Sequence, residues 1–222
     1  MPDFKHKYRL IIFDWDGTLV DSTQRIVDSM SRAGSEVGLP VVPDAAIQNI
    51  IGLGLPEALK TVWPSISEQQ LKAMHPVYAR YFVSDSQIDM GFFIGTEDFL
   101  KDLLSKGYIL SVATGKSRKG LDRMLHDLKV GHLFATTRCA DETRSKPDPL
   151  MLNEILSELS IAPSEALMIG DTTYDLDMAN AAGIDSVAMG HGAHDDNTLL
   201  ACGPKAICHS IQELKNWIET HG

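Results

Sequence analysis

Tyr8-Arg9-Leu10-Ile11-Ile12-Phe13-Asp14-Trp15-Asp16-Gly17-Thr18 is an apolar, β-favouring run that breaks into turn-forming residues carrying two carboxylates. Short apolar runs bounded by polar turns mark strands buried in a parallel sheet. The same shape recurs at residues 109–113, 133–137, 166–169 and 185–189, and weakly at 206–208. Helical patterns fill the intervals. Phe99, Leu100, Leu103 and Leu104 keep helical spacing up to Gly107, and Leu121, Leu125 and Leu128 do the same. After Pro149, a helix-start proline, come Leu152, Ile155, Leu156 and Leu159. Residues 175–182 run to Gly183, and residues 211–218 add a last helix. Strand and helix in alternation predict an α/β fold built on a doubly wound parallel sheet.

Residues 20–88 interrupt that rhythm. One long helix is expected over residues 20–37, stopped by Gly38 and Pro40. Three more are expected at 45–51, 55–62 and 68–82, separated by Gly52-Leu53-Gly54 and Pro64, with no strand among them. The expected organisation is an α/β core domain of residues 1–19 and 89–222, with a small helical domain of residues 20–88 inserted after the first strand.

Composition agrees with a globular chain: 222 residues, 44% hydrophobic, 23% charged, with a net charge of −10. That charge argues against a nucleic-acid or anionic-membrane surface, while leaving room for a small anionic substrate held by a local patch or a metal. Cys139, Cys202 and Cys208 form no close pair and read as reduced, semi-buried residues. The first ten residues have no apolar leader core, and no apolar run is long enough to span a bilayer. A cytoplasmic protein, monomer or homodimer, is the expectation.

Ligands of an open parallel sheet bind at the carboxyl ends of its strands. Four segments deliver polar groups there: Asp14-Trp15-Asp16-Gly17-Thr18, Thr114-Gly115-Lys116, Lys146-Pro147-Asp148-Pro149 and Gly170-Asp171-Thr172-Thr173-Tyr174-Asp175. Four carboxylates beside Lys146 would repel one another unless a hard divalent cation joined them. All-oxygen ligation with room for water points to Mg²⁺, and such sites complete their shell with substrate phosphate.

These four segments resemble the motifs of the haloacid dehalogenase superfamily of phosphatases, and the helical insertion resembles that family's α-helical cap. The likeness is greatest to the phosphoglycolate phosphatase-like branch, through residues 13–22, the stretch Ile51-Gly52-Leu53-Gly54-Leu55-Pro56, and Lys146-Pro147-Asp148-Pro149. The resemblance implies roles residue by residue. Asp14 would be the nucleophile that becomes an aspartyl-phosphate, and Asp16 the acid and then the base. Thr114 and the Gly115 N–H would bind phosphoryl oxygens, and Lys146 would neutralise charge. Asp14, the Asp16 main-chain carbonyl and Asp171 would hold Mg²⁺, with Asp175 orienting the metal's water or Lys146. An acid two residues after the nucleophile favours phosphoryl transfer over dehalogenation. The implied substrate is a small phosphorylated metabolite, phosphoglycolate first, with a β-phosphoglucomutase-like sugar-phosphate mutase as the alternative. A metal and phosphate sensor without activity would have lost Asp14, Asp16 or Lys146, and all three are present.

Two departures from many relatives stand out. Residues 92–96 read Phe-Phe-Ile-Gly-Thr where a proline-glycine turn is common, and Gly115 stands where asparagine is common. Several residues read as structural. Lys116, Arg118 and Lys119 are expected to solvate a helix start. His191 and His194 are expected on a loop surface rather than on a metal. Trp15 and the Met and Phe residues of 74–82 are expected to pack in a core, and Gly52 and Gly54 to face the site.

Overall fold

In the computed structural model, residues 6–222 are described, and the strand-ending turns anticipated above all fall on one edge of one sheet. The chain begins with β1 (Leu10–Phe13), β2 (Val20–Asp21) and the helices α1 (Thr23–Glu36), α2 (Asp44–Gln48), α3 (Leu55–Val62) and α4 (Glu68–Arg80). A turn of π-helix, Tyr81–Asp85, extends α4. There follow β3 (Gly91–Phe92), α5 (Thr96–Ser105), β4 (Ile109–Thr114), α6 (Arg118–Asp127), β5 (Thr136–Cys139) and α7 (Leu150–Leu159). The chain ends with β6 (Ala166–Gly170), α8 (Thr173–Ala182), β7 (Asp185–Met189), α9 (Asp196–Leu200), β8 (Ile207–Cys208) and α10 (Ile211–His221).

Six strands form a parallel sheet in the order β5-β4-β1-β6-β7-β8, which places β1 between β4 and β6. Alternate residues of β1 serve opposite layers, as the two-residue period of a strand requires. Ile11 and Phe13 pack with Phe99, Leu103, Leu121 and Ile218 on one face. Leu10 and Ile12 pack with Leu152, Ile155, Met178 and Ala179 on the other. This double burial is why the central strands read as unbroken apolar runs. The inserted helices have a core of their own, in which Met30, Ile47, Leu59, Trp63 and Met74 meet. Among the described residues, no helix is long and apolar enough to cross a membrane.

Two sequence expectations are corrected here. Val20–Asp21 is not the first turn of a helix: it pairs antiparallel with Gly91–Phe92, Val20 opposite Phe92, so a two-stranded ribbon forms where the chain leaves and re-enters the sheet. Too short to show a period, it follows from the turn at Gly17, whose N–H bonds Val20 O. The third large-sheet strand is Thr136–Cys139 rather than 133–137, because Leu133 belongs to a 3₁₀ turn. As an edge strand, β5 is only half-buried along most of its length and carries polar side chains.

Candidate active site

Asp14, Thr114 and Asp171 stand just at or beyond the carboxyl ends of β1, β4 and β6, three neighbouring strands, and all three are buried. Lys146 enters from the connection between β5 and α7. Its Nζ lies 2.7 Å from Asp14 Oδ1, an ion pair, and donates a 2.6 Å hydrogen bond to Asp175 Oδ1. Neither oxygen of Asp14 receives a hydrogen bond of good geometry. A buried carboxylate with one ammonium as its polar partner keeps lone pairs open to another ligand.

Asp171 is better held. Thr18 Oγ1 donates to it at 2.7 Å and the Ala193 N–H at 2.8 Å. A side chain at Gly17, whose φ is +80°, would be strained and would run into the Asp171 carboxylate, so glycine alone lets the first turn close on it. Asp175 accepts from Lys146, from Thr172 Oγ1 at 2.7 Å and from the Thr172 N–H at 3.2 Å, the last of these closing a capping box at the start of α8. One helix start thus fixes the carboxylate that fixes the lysine.

Burial raises the Asp14 pKa well above the usual carboxylate value, with Lys146 opposing the shift and Asp175 and Asp171 adding to it. Asp171 is pushed up to about 7 by burial and then by the charge of Asp175. Burial works to lower the pKa of Lys146, yet the adjacent Asp14 and Asp175 carboxylates overrule it and the ammonium is held charged. One carboxylate oxygen from each of Asp14, Asp171 and Asp175 falls within a 4.8 Å cluster. Hard oxygen donors, with carboxylate charge in excess of the single lysine, suit a small divalent cation.

Asp16 turns away from that cluster. Ser22 Oγ donates to its Oδ1 at 2.6 Å, so the serine before α1 is used on Asp16 rather than on capping the helix. Lys116 Nζ donates to both Asp16 oxygens, at 2.8 and 2.9 Å, and sits 4.7 Å from the centre of the Phe82 ring. The expectation that Lys116 merely solvates a helix start is therefore overturned. The signal available in the sequence was its place directly after Thr114-Gly115 at a strand end.

The inserted helices reach the crevice through the loop after α2. A Cβ at Gly115 would clash with the Gly52 carbonyl and lie 2.6 Å from the Leu53 carbonyl, so glycine here lets that loop descend. Gly54 N–H donates to Ser145 Oγ at 2.8 Å. Gln48 Nε2 donates to Ala193 O at 3.0 Å, and the Tyr174 hydroxyl donates to Asn49 O at 2.9 Å. His194 Nδ1 accepts from the Thr173 N–H at 3.1 Å, so its Nε2 carries the proton and donates to Asn49 O at 3.1 Å. His194 is buried rather than on the loop surface, a second correction. His191 stacks on Phe93 with ring centres 3.9 Å apart, so the two histidines do separate work. Trp15 and Met74 lie in cores, Gly52 and Gly54 face the crevice, and the three cysteines are free, all as expected.

A family model for haloacid dehalogenase-like hydrolases matches residues 11–189. A phosphoglycolate phosphatase of Vibrio vulnificus is 25% identical over 219 residues, 95% of this chain and 96% of that one. The tyrosine-protein kinase PtkA of Mycobacterium tuberculosis is 33% identical over 212 residues, 93% of this chain and 71% of its own length. A solved hydrolase of Pseudomonas syringae superposes with a TM-score of 0.87 at 22% identity, over 96% of this chain and 98% of that one, a likeness of fold. With the crevice at the sheet edge and the match spanning most of the chain, this protein belongs to the haloacid dehalogenase-like hydrolase family, as an enzyme similar along nearly its whole length to phosphoglycolate phosphatases.

Proposed function

We propose that the protein is a Mg²⁺-dependent phosphomonoesterase acting on a small anionic phosphate ester, phosphoglycolate being the first candidate. The observation that carries the reading is the buried Asp14 carboxylate, which faces the Lys146 ammonium at 2.7 Å and takes no other hydrogen bond among the described residues. Such a group is poised to form a bond to phosphorus rather than to serve as scaffolding.

Asp14, Asp171 and the Asp16 main-chain carbonyl would hold the ion, which when bound supplies positive charge for the phosphoryl oxygens. Asp14 attacks phosphorus, the bond from phosphorus to the ester oxygen breaks, and Asp16 gives that oxygen its proton. Asp16 then takes a proton from water, whose oxygen attacks the aspartyl-phosphate and frees Asp14 and inorganic phosphate. Thr114 and the Gly115 N–H hold the transferring oxygens, Lys146 offsets charge on Asp14 and phosphate, and Asp175 keeps Lys146 in place. The inserted helices act as a cap. Their loop closes on Gly115, which limits the crevice to small esters and shuts out bulk water.

Phosphate release from a panel of small phosphate esters and sugar phosphates, with Mg²⁺ and with EDTA, tests the reading. Metal-dependent release, greatest for phosphoglycolate, is expected. Conversion of a sugar phosphate to its isomer under a bisphosphate primer, with no phosphate released from any ester, would replace it with the mutase reading.

A further inference from the structure

Resting on the phosphomonoesterase reading, we infer that Lys116 selects the substrate by pairing with a carboxylate on the leaving-group side of the phosphate ester. The ammonium is largely buried, with 10% of its side chain exposed, and Asp16 is its ion-pair partner. That partnership occupies both Asp16 oxygens. When one of them turns to an ester oxygen, the ammonium keeps one of its two partner oxygens, and a second anion in the closed crevice would complete its pairing again.

Asp16 is the one carboxylate that Lys116 pairs with among the described residues. Phe82 lies against the ammonium, with Ile26, Ile51, Ala193, Met90 and Tyr78 clustered around Phe82. The guanidinium of Arg25 stands beside this cluster but is committed to main-chain carbonyls, Phe82 O at 2.8 Å and Ile88 O at 2.9 Å among them. Lys146 is committed to Asp14 and Asp175. Lys116 is thus the cation here that can take a second anion as substrate binds. A carboxylate on the carbon that bears the ester oxygen would lie beside Asp16, within reach of the same ammonium. A neutral or apolar leaving group would leave that pairing incomplete. Selectivity built this way works by penalising the wrong substrate as well as by holding the right one.

The test compares phosphoglycolate with ethyl phosphate, a phosphate monoester of similar size whose leaving group carries no charge, in the wild type, Lys116→Met and Lys116→Arg. The wild type is expected to prefer phosphoglycolate. Lys116→Met should lose roughly 10- to 100-fold in kcat/KM for phosphoglycolate, the range of one charged hydrogen bond, chiefly through KM. Its activity on ethyl phosphate should fall far less, which also shows that the variant is folded, and Lys116→Arg should recover the preference. An equal fall for both esters would mean that Lys116 acts only through Asp16 and would overturn the inference, as would a wild type that does not distinguish the two. Either result leaves the phosphatase reading standing. Release from neither ester by the wild type, nor from any other in the panel, would remove both.

Discussion

Lys146 donates to Asp175 across 2.6 Å with both side chains wholly out of solvent, and the same ammonium faces Asp14. Two buried carboxylates therefore share one cation when no metal is present. Removing one member of such a set leaves charge uncompensated in a poor solvent for charge. Lys146→Met is expected to lose about 3–5 kcal/mol of unfolding free energy in EDTA, with Mg²⁺ restoring part of it, and to lose turnover. Urea unfolding with and without the ion measures this. A variant as stable as the wild type in EDTA would contradict it.

Asp14 should behave in the opposite way. Its carboxylate is buried with no hydrogen-bond donor besides Lys146 among the described residues, and burial raises its pKa, so it is kept at a cost to the fold. Asp14→Asn removes that charge at nearly constant shape. Phosphate release should fall on the order of 10⁴-fold or more. Thermal stability in EDTA should stay level or rise. Substantial residual turnover would refute Asp14 as the nucleophile.

The pH dependence of the metal-free protein follows from Asp171. Its pKa rises from an ordinary 3.8 to about 7 in the fold, because burial and Asp175 disfavour its charge. The folded chain then binds more protons than the unfolded chain between those values, so stability falls as pH rises through that interval. Above about 7 the loss is complete. Since a bound cation needs the ionised form, stabilisation by Mg²⁺ should grow over the same interval and level off beyond it. Melting temperatures with Mg²⁺ and with EDTA across this range give the comparison. A metal-induced shift that is flat with pH would count against it.

Gly115 makes a steric prediction. A methyl group there meets the main-chain carbonyls of Gly52 and Leu53, which cannot swing aside as a side chain would. Gly115→Ala should cost the closed arrangement about 1–3 kcal/mol, the usual penalty for overpacking. The expected signs are a raised KM, a wider envelope in small-angle scattering and faster proteolysis of the inserted helices. Because Thr114 and Lys146 stay in place, turnover at saturation should suffer less than KM. A variant with wild-type KM and scattering would refute the contact.

The sequence carried most of this fold because most of it obeys local rules. β1, β4, β6 and β7 are buried on both faces and so appear as apolar runs. Helix α5 was legible to the residue from its spacing and Gly107. The misses share a cause in distance. The β2–β3 pair joins segments some seventy residues apart through two residues each, below any readable period. β5 is an edge strand whose polar side chains suit its exposure, and Arg138 there reaches Glu154 and Glu158 on α7. Among site residues, the carboxylates and Lys146 were visible from their strand-end places. The role of Lys116 was not, since its partner lies 100 residues earlier and only the folded sheet brings them together.

The clasp on the inserted helices has its acceptor in the main chain: Tyr174 and His194 both donate to the carbonyl of Asn49. The side chain of Asn49 takes no hydrogen bond there, and the residue is exposed. Position 49 can therefore carry a cysteine and a fluorophore without loss of the clasp, at the seam between the inserted helices and the sheet. A dye attached there would report each opening of the crevice as a change in its own mobility, in an otherwise unaltered enzyme, one turnover at a time.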